Sequence, residues 1–172
     1  SNYIVGMKQF YIDPKGVFII DSPIDLDAIY STSEKNIERN FSAVSMQESA
    51  WIIETLGNSF GNPNDHLKEY EKSSVYIHRS DNTSNLQKLK STKIRLYTEP
   101  DTLWWKTNRM ADYEEMNAYY IKKLSESLQE QGFEHVEYIP TNNKGYRANG
   151  DRHPHSWSIV DKEDFINWML EK

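Results

Sequence analysis

The chain has 172 residues, 37% hydrophobic, 13% aromatic and 27% charged, the profile of a globular domain with one core. Its 20 basic and 26 acidic residues give a formal net charge of -6, which supplies no electrostatic footprint for nucleic acid or an anionic membrane surface. Zero cysteines exclude disulfides, thiolate catalysis and cysteine-based zinc sites, and no apolar run approaches the ~20 residues that span a bilayer.

The expectation is therefore a soluble protein, with the cytoplasm favoured, and with neither nucleic acid nor membrane as partner. The start SNYIVGMKQFY has no basic region followed by a continuous apolar stretch, so it does not read as a leader.

In chain order, residues 17–20 form the first run of β-branched and aromatic residues and read as a strand. Helical patterning follows. Residues 33–41 open on Ser-Glu-Lys-Asn, residues 45–56 align Met46, Ala50, Ile53 and Leu56 until Gly57, and residues 65–72 follow Asn-Pro-Asn. These two or three helices predict an inserted cap over about 31–75. After a polar loop at 80–85 and one further turn at 86–89, residues 94–97 form the second strand. In residues 111–131, Met116, Tyr120, Leu124 and Leu128 recur every four positions, with Gly132 as C-cap, which predicts a helix.

The third strand covers 136–139, and a polar loop at 141–151 ends in the turn Asn149-Gly150. A last helix spans 162–171 with Asp161 as N-cap. Strand, helix, strand within about fifty residues implies a right-handed crossover and a parallel pair. The predicted fold is α/β: one domain over residues 1–172, with a short, about three-stranded parallel sheet, flanking helices and a helical cap.

Two chemical groups fall at the carboxyl ends of strands, where open α/β sheets present reactive groups: Asp101 after the second strand and His155 after the third. A carboxylate that fixes an imidazole's tautomer and steadies the imidazolium makes the ring a general base. The pair Trp104-Trp105 offers rigid indole faces to an apolar substrate, or packs the cap onto the sheet. Arg109 and Arg147 present planar forks for a carboxylate or phosphate, or pair with Glu99 or Asp112. His153 and His155 flank a proline; with no third ligand evident beside them, no metal is predicted.

GVFIIDSPIDL followed by cap helices, then YTEPD, then HPHSWS, resembles the α/β-hydrolase superfamily, in which nucleophile, acid and histidine follow in that order. The resemblance covers nearly all of the chain and implies the C-terminal half of such a protein. It implies Asp101 as triad acid, His155 as base with His153 as second choice, a small-molecule acyl substrate, and no cofactor. Thr98 and Pro154 stand where the family has glycine. No GxSxG turn is found; residues 2–11 fall where the helix after the nucleophile belongs, and Ser1, near the elbow position, cannot form that turn.

The expected function is acyl (ester or amide) hydrolysis with the nucleophile supplied from elsewhere, the chain alone being inactive. A non-catalytic binding module is the alternative. The expected partner is an N-terminal hydrolase half, or a second copy in a homodimer, through the edge of the Gly16–Ile20 strand.

Overall fold

A computed structural model describes residues 13–171; Ser1 and the helix expected at 2–11 lie outside the described residues. The three apolar runs form strands β1 (Gly16–Ile20), β2 (Lys93–Thr98) and β3 (Val136–Pro140), all parallel in the order β1-β2-β3. Val17 stands opposite Ile94, and Ile94 opposite Val136. β2 is buried almost throughout because helices cover both faces of the sheet.

Among the described residues six α-helices surround it: α1 (Leu26–Arg39), α2 (Ala43–Phe60) and α3 (Pro63–Ser73) between β1 and β2, α4 (Thr102–Arg109) and α5 (Asn117–Glu130) between β2 and β3, and α6 (Lys162–Leu170) after β3. Alternation along the strands sorts side chains between two cores. Val17, Ile19, Ile94 and Leu96 face Ile121, Leu124 and Leu128 of α5. Tyr97 faces the other way, onto Ile159, Val160 and Phe165. Full burial of each such aliphatic side chain contributes about 1.5–3 kcal/mol.

The helices between β1 and β2 depart from the sequence-based expectation at their ends. α1 begins at Leu26 rather than near Ser33, because Asp25 accepts a hydrogen bond from Ala28 N at 2.9 Å and caps it. Ser33 sits inside the helix and donates to Ile29 O at 2.7 Å. α2 runs through Gly57 and stops before Gly61, whose φ is 80°. A mid-helix glycine costs about 1 kcal/mol, and Ile53, Leu56 and Phe60, packed on Tyr30, Tyr70 and Ile77, outweigh it.

Elsewhere the predicted 111–131 helix is broken. A capping box between Asp112 and Glu115 closes a 3-10 turn at Tyr113–Glu115, and α5 starts after it. The turn expected at 86–89 is a 3-10 helix, Ser84–Leu89. Among the described residues, no helix is long and apolar enough to cross a membrane, and β1 has a strand partner on one side only.

Candidate functional site

Asp21 follows β1 directly. Its N–H donates to Tyr97 O at 2.9 Å, carrying the parallel ladder one residue beyond the strand, and the backbone then turns through a left-handed φ of 41°. Aspartate tolerates that conformation better than most residues, at a cost of about 1 kcal/mol or more. The side chain is buried, 3% exposed. Thr98 Oγ1 donates to Oδ1 at 2.7 Å, Asn117 Nδ2 donates to the Asp21 carbonyl at 2.7 Å, and Oδ2 lies 2.9 Å from His155 Nδ1.

His155 arrives from β3 on a loop that crosses the carboxyl end of β2. Glu99, 2% exposed, anchors that loop: its Oε2 accepts from Lys144 N at 2.9 Å, Gly145 N at 3.0 Å and Thr141 Oγ1 at 3.0 Å. Arg152 forms ion pairs with Glu99 and Asp101 and donates to Gly145 O at 2.6 Å. Glycine is required at 145, since a Cβ there would lie 2.6 Å from both His153 O and Pro154 Cα. His153 N also donates to Gly145 O, at 2.9 Å.

The electrostatics follow this geometry. The Asp21 hydrogen bond raises the His155 pKa above the ordinary histidine value against the opposing pull of desolvation, and Glu48 adds to the rise. With Asp21 accepting, the Nδ1 proton is fixed and Nε2 is the free basic position. Among the described residues Nε2 has no hydrogen-bond partner. His153 shifts the other way, lowered by burial first and then by the charges of Arg147, His155 and Arg109; its Nδ1 lies 3.1 Å from His155 O.

Both histidines line a cleft of ≈ 380 Å³ between the helices inserted after β1 and the carboxyl rim of the sheet. Thr32 and Asn36 of α1 and Ser45 and Glu48 of α2 form one wall, and Trp105, Arg109 and Arg147 the other. Arg39 bonds Glu115 at 2.5 Å, which ties the end of α1 to the turn beside the cleft.

The expected pairing of Asp101 with His155 is not the one the fold makes. Asp101 is committed elsewhere: Oδ1 caps α4 by accepting from Trp104 N at 2.9 Å, and Oδ2 takes Arg152 at 2.6 Å. The carboxylate that meets His155 is Asp21. Trp105 lines the cleft, as a substrate wall would. Trp104 packs edge-on against Trp105 and His153, with ring centroids 5.3 Å and 5.0 Å away, and does not line it.

Sequence reasoning missed Asp21, Glu99 and Arg152. For Asp21 a signal was present, an acid directly after an apolar strand in GVFIIDS; for Glu99 and Arg152 nothing in the spacing marks the contact. Among the described residues no cluster of three or more His, Asp or Glu side chains is arranged to hold a metal ion. Comparison with protein-family profiles, with curated proteins and with solved structures gives no match.

Proposed function

We propose that the chain carries the acid and base of an α/β-hydrolase-like acyl hydrolase acting on an ester or amide bond, with Asp21 as the acid and His155 as the base. In this reading Nε2 takes the proton of an attacking hydroxyl and returns it to the leaving group. Asp21 holds the tautomer and steadies the imidazolium between those steps. The nucleophile lies outside the described residues. The side of β1 that has no partner among the described residues is where its strand joins, or where a second copy pairs.

The observation that carries this reading is a buried carboxylate, set by Thr98 on Oδ1 and by Asn117 on the Asp21 carbonyl, against an imidazole whose other nitrogen has no partner among the described residues, at the edge of a cleft. The test is hydrolysis of p-nitrophenyl acetate by the chain alone and after mixing with the product of the adjacent upstream coding sequence, with His155→Ala as control. Activity that needs the upstream product and disappears in the variant supports the reading. Silence in both mixtures favours a binding module without turnover.

A further inference from the structure

The described residues hold six arginines, and four of them face carboxylates. Arg39 pairs with Glu115, Arg79 with Asp27, Arg95 with Glu137 and Asp164, and Arg152 with Glu99 and Asp101. The other two, Arg109 and Arg147, have no carboxylate within ion-pair distance among the described residues, and both line the cleft that holds His155. Asp112, the nearest acid in sequence to Arg109, is paired with Lys106 at 2.5 Å, and Glu99 is taken by Arg152. Among the described residues the Arg109 side chain makes one hydrogen bond, a 3.5 Å approach to Asn108 O, and its guanidinium lies 5.9 Å from the Trp104 ring centroid.

Two exposed guanidiniums with no ion-pair partner among the described residues, set in one concavity beside an indole, are a receptor for an oxyanion; of the two acids that line the same cleft, Glu48 and Glu115, Glu115 is already held by Lys35 and Arg39. A planar fork binds carboxylate or phosphate with two parallel hydrogen bonds, and a second cation adds charge. Arg109, Arg147 and His153 line one cleft and the charges of both arginines reach His153, so the two guanidiniums converge on the His153 side and draw an anion there.

We infer that the cleft selects an anionic acyl substrate, its carboxylate or phosphate held by Arg109 and Arg147 while its acyl bond lies at His155. The inference rests on the acyl-hydrolase reading for the bond at His155, but the anion site can be tested without turnover. The probes are monomethyl succinate, which has one carboxylate and one ester, dimethyl succinate, which has no charge, and inorganic phosphate. Binding is followed by the NMR signals of the Trp105 indole N–H and the His153 ring.

Monomethyl succinate or phosphate should titrate these signals and dimethyl succinate should not. Arg109→Gln with Arg147→Gln should weaken binding roughly tenfold or more, as loss of charge-assisted hydrogen bonds does, while Lys122→Gln, which does not line the cleft, leaves it within a few-fold. Of the two anions, the tighter one names the group. Equal titration by the neutral diester, unchanged affinity in the double variant, or no response to either anion up to tens of millimolar would overturn the inference. Because the comparison of monoester with diester uses the unaltered protein, it does not depend on the variant folding. Anion binding with no ester hydrolysis even after mixing with the upstream product would instead remove the hydrolase reading and leave this site standing.

Discussion

His155 and Asp21 lie 134 positions apart in sequence and 2.9 Å apart in space, Nδ1 to Oδ2. The contact joins the loop after β3 to the end of β1 across the rim of β2, so it exists only when the sheet and the loop are both in place.

If this pair is the working acid and base, Asp21→Asn should lower kcat of the hydrolysing mixture roughly 10³-fold or more with KM little changed, because an amide can favour the wrong imidazole tautomer. Asp101→Asn leaves the His155 contact intact and should act through α4 and the loop, with a much smaller loss. Steady-state kinetics of the two variants side by side checks this.

Stability should depend on pH through two groups with the same sign. The folded pKa of His155 is raised, so its contribution is complete below the ordinary value near 6.5 and is lost as pH rises through the folded value. Asp25, buried beneath α1, is pushed up from 3.8 to about 6 by desolvation, although Ala28 N and His78 N both donate to it. For a carboxylate with a raised pKa, the charged form is the destabilising one, so the contribution is again lost as pH rises through about 6. Denaturant melts should therefore show wild type gaining stability relative to Asp25→Asn as pH falls from neutral toward about 4, the ordinary carboxylate range.

Glu99→Ala should cost about 1–3 kcal/mol, because it removes the acceptor of two loop N–H groups and the Thr141 hydroxyl and one of the two carboxylates that pair with Arg152. Hydrogen exchange should place the loss in residues 141–155, with the α5 core still protected. Uniform loss of protection across the chain would mean that Glu99 supports the whole fold rather than the loop.

Gly145→Ala should push the loop away from its own backbone, at a cost of roughly 1–3 kcal/mol, since the added Cβ meets His153 O and Pro154 Cα, neither of which can rotate aside. His155 should then lose its raised pKa and titrate near the ordinary value. An unchanged His155 titration in this variant would show that the loop can relax without moving the ring.

Strands and the parallel order were legible because β2 is buried on both faces and reads as an apolar run, and because a four-residue period marks α5. Helix starts were less legible. Asp25 and Ser33 are both plausible caps, and the choice is made by tertiary contacts: the Asp25 carboxylate also accepts from His78 N at 2.7 Å, 53 residues away. The α4 helix was not foreseen, since no element was read between the second strand and residue 111, and its cap is the acid assigned to catalysis.

The site was half legible. Position at a strand end selected His155, but the same rule admits both Asp21 and Asp101, and sequence carries no record of which one the β3 loop reaches. Arg152 decides it by occupying Asp101. The cleft's charge pattern depends on which arginines find partners, and only the folded chain reveals that.

The most direct test of the central claim is long-range ¹⁵N–¹H NMR of the His155 ring across pH in wild type, Asp21→Asn and Asp101→Asn. The account predicts a proton held on Nδ1 with a raised pKa in wild type and in Asp101→Asn, both features being lost in Asp21→Asn. Loss of both in Asp101→Asn with Asp21→Asn unaffected would contradict it.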